Sequence, residues 1–246
     1  VSRVSKATGE VVSSRSVTTF KERIKVAVPY TLKDDEDPNA VSVFLVKSDG
    51  KVEKVGGIYN SVTKQVEFLR DSFSNYFAKL SRVSFMDTTD LDIIYKDAIE
   101  ILAGKGYIAG RTLELYDPNA LVTRAEFTSL IARMLKLEED PKGLPFTDVN
   151  NENAWYRNHL AGAYGAGIVN GRSATMFDPN SDINRQEAAA IVVNAARFLG
   201  FRDAEGSLIA EKYEDYASIS SWALRSVATM HRDGLVKGMY EGSYRP

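Results

Sequence analysis

A constant internal offset constrains this chain more than any other feature of its sequence. Phe85 and Asp87 recur as Phe146 and Asp148. The same offset in residue number relates Gly106 to Gly167, Gly110 to Gly171, Tyr116-Asp117-Pro118-Asn119 to Phe177-Asp178-Pro179-Asn180, and Thr123-Arg124-Ala125-Glu126 to Asn184-Arg185-Gln186-Glu187. A single offset shared by so many positions indicates a tandem structural repeat.

A third copy follows at a slightly larger offset. This second offset relates Asp148 to Asp215, Trp155 to Trp222, Gly167 to Gly234, Gly171 to Gly238 and Pro179 to Pro246. The additional residues fall in the connector between residues 200 and 212. The copy reaches Pro246 before the position of its own Thr/Asn-Arg-x-Glu helix start. We therefore define repeat 1 as residues 83–140, repeat 2 as 141–200 and a partial repeat 3 as 208–246.

Each repeat has the pattern of a helix, a glycine-rich loop and a second helix. In repeat 2, apolar residues at helical spacing predict a first helix that includes Trp155 and Leu160. Gly167 and Gly171 interrupt the helix and permit positive φ. A second helix is predicted to open at Asn184. One such helix pair cannot bury its apolar face alone, so we expect the copies to pack on each other.

The start of the second helix carries two signals. Thr123 with Glu126, and Asn184 with Glu187, have the spacing of a capping box, which gives both glutamates a structural role. Capping does not account for an arginine that stands at the first helical position twice, where it opposes the positive end of the helix dipole. Arginine beside free helix amides favours an anion, above all a carboxylate or a phosphate. The alternative for Arg124 and Arg185 is a structural ion pair between repeats.

These motifs together resemble the S-layer homology family, over residues 83 to 246. The resemblance rests on the aromatic-x-Asp start, the tryptophan, the Gly-x3-Gly loop, the aromatic-x-Pro turn and the Thr-Arg-Ala-Glu segment. It implies a pseudo-threefold helical domain. The first helices would form a central bundle, and the grooves between repeats would bind secondary cell-wall polysaccharide of Gram-positive bacteria. Such polymers often carry a ketal-linked pyruvate on an amino sugar.

The resemblance also implies candidate ligand-binding residues. Arg124 and Arg185 would pair with the pyruvate carboxylate, and Trp155 and Trp222 would wall the grooves. The remaining candidates are Gly106, Gly167 and Gly234, which would admit the sugar to the backbone, together with Glu126, Glu187 and Ser243. Core packing is the alternative for the tryptophans, and turn geometry is the alternative for the glycines. On the ligand hypothesis, Arg124→Ala and Arg185→Ala are expected to fold normally and lose affinity.

Departures from the family pattern predict unequal grooves. Ile94 stands where the other copies have tryptophan, and a hydroxyl residue precedes the loop aromatic only in repeat 3, as Ser243. Leu115 and Met176 occupy that position in the first two copies. Because repeat 3 stops before its second helix, at least one groove is expected to lack its arginine.

Residues 1–82 have a different period and are predicted to form a small antiparallel β domain. Ile24, Val26 and Val28 alternate with other residues as in a half-buried strand that Pro29 ends. Further strands are predicted at 41–46, 51–55 and 65–68, with turns at Ser48-Asp49-Gly50 and at Thr8-Gly9. The segments 26–30, 37–40 and 73–76 resemble a β module found before S-layer homology repeats. The expected class is therefore α+β, with a spacer or platform preceding the repeats and a short join at 82–85.

Composition excludes several classes of function. The chain has 31 Lys and Arg against 33 Asp and Glu, so it lacks the basic footprint of a nucleic-acid-binding protein. It has no cysteine and no apolar run long enough to span a membrane. No catalytic motif, metal-ligand spacing or cofactor fingerprint appears, so we expect neither enzymatic activity nor a cofactor in this chain. The N-terminus shows no signal peptide, and the chain reads as part of a longer secreted protein.

Two hypotheses for function follow. The first is an anchor that binds cell-wall polysaccharide at the cell surface. The second is a structural module whose partners are neighbouring S-layer subunits and whose arginines make ion pairs. The first has more support, because the family resemblance and the anion-favouring helix start agree.

Overall fold

The fold is known from a computed structural model. It describes residues 2–4, 8, 11–14, 19–72, 74–137, 143–151, 153–203, 212–236, 238 and 242–246. The α+β class is confirmed, because strands occupy the first part of the chain and helices the rest. The chain forms two compact units, Val1–Pro118 and Asn119–Pro246. The domain boundary after residue 82 stays a prediction.

The described residues of the first unit form eight strands. They are β1 (Ser2–Val4), β2 (Val11–Ser14), β3 (Thr19–Pro29), β4 (Val41–Val46), β5 (Val52–Gly56), β6 (Ile58–Asn60), β7 (Gln65–Ser72) and β8 (Asn75–Leu80). β1 and β2 form an antiparallel pair. The other strands form two antiparallel sheets, ordered β3-β7-β6 and β5-β4-β8. Within the predicted Thr8-Gly9 turn, Gly9 lies outside the described residues.

The two three-stranded sheets bury one apolar core. Val41, Val43 and Val55 come from one sheet and Val66 and Phe68 from the other, and all five are buried. Burial alternates along the described part of β3, as the sequence predicts. The predicted strands are confirmed as β3, β4, β5 and β7, and the predicted tight turn joins β4 to β5. β6 and β8 were not predicted as strands.

Helix α1 (Ile93–Gly104) is the first helix of repeat 1 and lies in the same unit as the strands. Just past its C-terminus, the buried Lys105 ammonium donates to the carbonyls of Val41 (3.2 Å) and Gly57 (2.5 Å). In the opposite direction, the Lys54 ammonium of β5 donates to the Ala103 carbonyl of α1 at 2.8 Å. Burial lowers the pKa of Lys105. The end of the first repeat helix is therefore fixed to the strands by buried polar contacts.

The predicted short join between strands and repeats is also a point of contact. Arg82 lies 2.7 Å from Asp37, which precedes β4, and 2.7 Å from Asp97 in α1. Its guanidinium also lies 3.5 Å from Glu100. One arginine therefore links the end of the β region to the first helix.

Four described α-helices lie in the second unit. They are α2 (Arg124–Leu135), α3 (Arg157–Gly165), α4 (Arg185–Phe198) and α5 (Leu224–Arg232). α2 packs on α3, and α4 packs on α5. The second helix of each repeat therefore packs on the first helix of the next, as expected for copies that bury each other's apolar faces. Leu160, Val227 and Tyr244 are among the buried residues of the resulting cores.

The starts of the second helices are confirmed, whereas the tryptophans lie outside the predicted first helices. Arg124 and Arg185 occupy the first position of α2 and α4. Trp155 stands in a turn before α3, and Trp222 stands in the equivalent turn before α5. In the latter, the Ala223 amide donates to the Ser220 carbonyl at 2.8 Å. The helical period of apolar residues continues into these turns, and for this reason the pattern predicted both tryptophans within a helix.

Candidate functional site

The repeated aspartate fixes the loop of its own repeat. The Asp148 carboxylate accepts from the backbone N–H of Phe177 at 3.0 Å and from that of Asp178 at 2.6 Å. Asp178 has φ 64°, which is a left-handed conformation. The hydrogen bond from its backbone N–H to Asp148 stabilises this conformation. Asp87 and Asp215 make the same pair of contacts in their repeats. The sequence identified these aspartates as repeated residues but did not give them this role.

The second glycine of the loop allows close packing. A Cβ at Gly171 would lie 2.5 Å from the ring of Phe146 and 2.6 Å from the Met176 carbonyl, both too close for a side chain. Phe146 in turn packs on Phe177 with ring centroids 5.5 Å apart. The aspartate and the glycine together hold the loop aromatic in one position.

Arg124 projects from the start of α2 onto this loop of repeat 2. Its Nε donates to the Phe177 carbonyl at 3.0 Å, and its Nη2 donates to the Asn170 carbonyl at 3.1 Å. The guanidinium lies 4.8 Å from the centroid of the Phe177 ring, in cation–π geometry. The residue is only 5% exposed. Burial lowers the pKa of Arg124 and the Glu187 carboxylate opposes this shift, and an arginine remains charged.

Glu187 links Arg124 to a second arginine. One carboxylate oxygen lies 3.1 Å from Nη1 of Arg124 and 3.1 Å from Nε of Arg172. The other accepts from the Asn184 backbone N–H at 3.2 Å, which closes the predicted capping box of α4. Arg172 also pairs with Asp178. Glu187 therefore serves both as a helix cap and as an ion-pair partner across repeats.

Arg185 repeats the ring contact of Arg124 one repeat later. Its guanidinium lies 5.0 Å from the centroid of the Tyr244 ring. The Tyr244 phenol donates to the Arg185 backbone carbonyl at 2.9 Å. Burial raises the pKa of Tyr244 to about 12, so the phenol keeps its proton. The repeated arginine therefore stacks on the loop aromatic of the next repeat in both described instances.

A cavity of about 660 Å³ opens beside Arg124. Its volume lies in the range typical of small-molecule sites. The loop of repeat 2, one face of α4 and the start of α5 form its walls. The polar and aromatic residues that line it are Arg124, Asn170, Arg172, Glu187, Asn194, Arg197, Trp222, Arg225 and Ser226. Four arginines and one glutamate therefore face the same space.

Three of the predicted binding residues meet at this cavity: Arg124, Glu187 and Trp222. Trp222 is 58% exposed and is therefore not a core residue. Trp155 is also 58% exposed, and it packs edge-on against Tyr156 rather than lining this cavity.

The other predicted residues lie elsewhere. Glu126 closes the capping box with Thr123, and the Ser243 hydroxyl donates to Asp215 at 2.9 Å. Three glycines adopt positive φ, as turn geometry requires: Gly106 at 78°, Gly167 at 69° and Gly234 at 68°. Their role in ligand binding, and that of Arg185, stays a prediction.

Several residues of this cavity were not among those predicted from the sequence. Arg172 could have been found, because Arg111 stands at the equivalent position of repeat 1, at the offset that relates the first two copies. Arg225 carries no such signal, since only the packing of α5 against α4 brings it to Asn194 and Arg197.

The described residues contain neither a metal-ligand cluster nor a membrane-spanning helix. No group of three or more His, Cys, Asp or Glu side chains among them could hold a metal ion. No helix in the described ranges is both long and apolar enough to cross a membrane.

Comparison with known proteins identifies the repeats. Residues 87–128, 145–189 and 212–246 match the profile of the S-layer homology domain. The three matches correspond to the three repeats that the offsets define, including the partial third one.

Similar proteins include both enzymes and surface-layer proteins. An amylopullulanase of Thermoanaerobacterium thermosulfurigenes is 33% identical over 90% of this chain and 12% of its own length. Exoglucanase XynX of Acetivibrio thermocellus is 36% identical over 61% of the chain and 14% of its own length. The surface-layer 125 kDa protein of Lysinibacillus sphaericus is 32% identical over 58% of the chain and 12% of its own length. The chain thus spans only a small fraction of the length of each of these relatives.

Proposed function

Because the chain belongs to the S-layer homology family, we propose that it attaches a longer secreted protein non-covalently to the bacterial cell wall. The ligand we propose is an acidic secondary cell-wall polysaccharide. It binds in the cavity beside Arg124, and the chain carries no catalytic activity of its own. The location that follows is the cell surface.

The lining of the cavity supports an acidic ligand. Four arginines face it against one glutamate, and a guanidinium pairs with a carboxylate through two parallel hydrogen bonds. Arg124 is held in one orientation by two backbone carbonyls and by Glu187, so little conformational freedom is lost when a ligand binds. A pyruvate ketal on an amino sugar supplies the carboxylate that such a site favours.

The aromatic and neutral polar part of the lining supports a sugar. The Trp222 indole is more than half exposed and borders the cavity, where an aromatic face can cover the apolar side of a sugar ring. Asn170, Asn194 and Ser226 add groups that can bond sugar hydroxyls. Arginines, an aromatic face and neutral polar groups together favour an acidic saccharide over a simple anion.

The variety among the relatives supports an anchoring role. Proteins named as an amylopullulanase, an exoglucanase and a surface-layer protein each match more than half of this chain, although their names describe different kinds of protein. A segment shared by such different proteins is better explained by a common location than by a common reaction. Any catalytic activity of the longer protein would then reside outside these residues.

Titration calorimetry tests the proposed function. The chain is titrated with a synthetic N-acetylated amino sugar that carries the pyruvate ketal, and with the same sugar without it. We expect binding only with the ketal, with a stoichiometry that counts the working grooves. Equal heats for both sugars, or none for either, would contradict the proposal and favour a module that binds protein subunits.

Two variants locate the site. Trp222→Ala removes an exposed side chain, so we expect unchanged stability and roughly tenfold weaker binding, because an aromatic contact of about 1.5 kcal/mol is lost. Phe201→Ala is the matched control, because its aromatic side chain is 68% exposed and does not line this cavity. Normal binding by the tryptophan variant would place the ligand elsewhere on the chain.

A further inference from the structure

The cavity is longer than a single sugar ring. Along α4 it is lined by Glu187, Ala190, Ile191, Asn194 and Arg197, which lie on one face of the helix. From the first to the last of these positions the helix rises about 15 Å, at about 1.5 Å per residue. The cavity is therefore an elongated groove with one end at Arg124 and the other at Arg197.

The two ends differ in charge balance. At one end, Arg124 and Arg172 both pair with the Glu187 carboxylate. Arg172 also pairs with Asp178, so two arginines meet two carboxylates there. At the far end, Arg197 and Arg225 share one carboxylate, Asp203. Arg197 already donates to both oxygens of this carboxylate, from Nε at 2.6 Å and from Nη2 at 2.5 Å.

Arg225 has the geometry of a group that can receive a ligand. Its Nε lies 3.9 Å from Asp203, beyond hydrogen-bond distance, and its side chain is 68% exposed. It stands three residues after Trp222 and therefore shares the face of the α5 start that borders the groove. One positive charge at this end is thus left without a matching carboxylate among the contacts that the structure describes.

We propose that the far end of the groove is a second subsite, which binds a further acidic group of the same polysaccharide through Arg225 and Arg197. This inference rests on the proposed function. The ligand it implies is an oligosaccharide with acidic groups on two sugars, separated by about the length of the groove. Trp222 and the apolar residues of α4 between the two ends cover the intervening rings.

Calorimetry with synthetic tetrasaccharides tests the second subsite. One tetrasaccharide carries a pyruvate ketal on the first sugar only, and the other carries ketals on the first and fourth sugars. We expect the doubly acidic ligand to bind the unaltered chain about fivefold more tightly, the size of an exposed charge pair. A third tetrasaccharide, with ketals on adjacent sugars, should show no such gain.

Arg225→Gln should remove the advantage of the second ketal, so that the singly and doubly acidic ligands bind this variant with equal affinity, because the exposed guanidinium that would meet the second acidic group is gone. Arg202→Gln provides the control for loss of one charge, since its exposed side chain does not line the groove. Equal affinities of the unaltered chain for the singly and doubly acidic ligands would overturn the second subsite alone. Absence of binding to every ligand would overturn the proposed function and the subsite with it.

Discussion

At the scale of single residues, the repeated arginine combines two roles that the sequence analysis treated as alternatives. Arg124 makes the ion pair between repeats through Glu187, and it also lines the groove. Its hydrogen bonds to the loop carbonyls position the same guanidinium that we expect a ligand carboxylate to meet. A residue of this kind contributes to stability and to binding together.

Arg124→Ala is therefore expected to destabilise the chain, in contrast to the normal folding that the sequence alone suggested. The substitution leaves two carbonyls and the Glu187 carboxylate without their partner, which should lower the free energy of unfolding by about 3 kcal/mol. Urea unfolding followed by circular dichroism measures the change. An alanine variant as stable as the original chain would show that the contacts to Phe177 and Asn170 contribute nothing.

The repeated aspartates predict a dependence of stability on pH. Burial works to raise the pKa of Asp215, but the N–H groups of Tyr244 and Arg245 and the Ser243 hydroxyl outweigh it, so the pKa is lowered. A lowered folded-state pKa adds stability that is present above the unfolded value of about 3.9 and is lost as pH falls through the folded value.

We expect Asp215→Asn to make the loss of stability below about pH 4 less steep, because the group that binds the proton is gone. The free energy of unfolding is measured in urea at pH 7, 5, 4 and 3 for both chains. Asp182→Asn is the control, since its side chain is exposed. Identical slopes for Asp215→Asn and the original chain would refute the role of this carboxylate.

At the scale of elements, the capping boxes were the most predictable part of the helical region. Their four residues lie within one turn of the chain, so their geometry depends on local sequence alone. The strands with regular alternation were predictable for the same reason. β6, with only three residues, is too short to show a period of two, and so it escaped prediction.

Asn184→Ala should lower the free energy of unfolding by about 1 kcal/mol, because the Glu187 backbone N–H loses its capping partner. Thermal unfolding measures this loss, and Asn184→Ser serves as a control that keeps a capping oxygen. If the alanine and serine variants melt together, the cap does not contribute to the stability of α4.

At the scale of the whole molecule, repeats in sequence and compact units in space do not coincide. The first helix of repeat 1, α1, lies in the same unit as the strands, whereas the second helix, α2, lies in the other. Buried contacts such as that of Lys105 hold the end of α1 against the strands. The β region is therefore part of the structural support of repeat 1.

Weakening the β core should consequently reduce the protection of α1 amides against hydrogen exchange. Val66 is fully buried between the sheets, and Val66→Ala should cost roughly 2 kcal/mol through loss of packing. We expect native-state hydrogen exchange to show that amides of residues 93–104 lose protection together with β4 and β7. Retained protection of α1 in this variant would mean that the helix does not depend on the strands.

The sequence by itself determined the repeats, the capping boxes, the positions of Arg124 and Arg185 and the regular strands, because each depends on residues close together in the chain or on a fixed offset. The tertiary structure decided which side chains share a cavity. Arg225 meets Arg197 only because α5 packs on α4, and Arg172 meets Arg124 only because the loop of repeat 2 folds over the start of α2. Contacts between distant segments depend on how the elements pack, and no local pattern of residues encodes that packing.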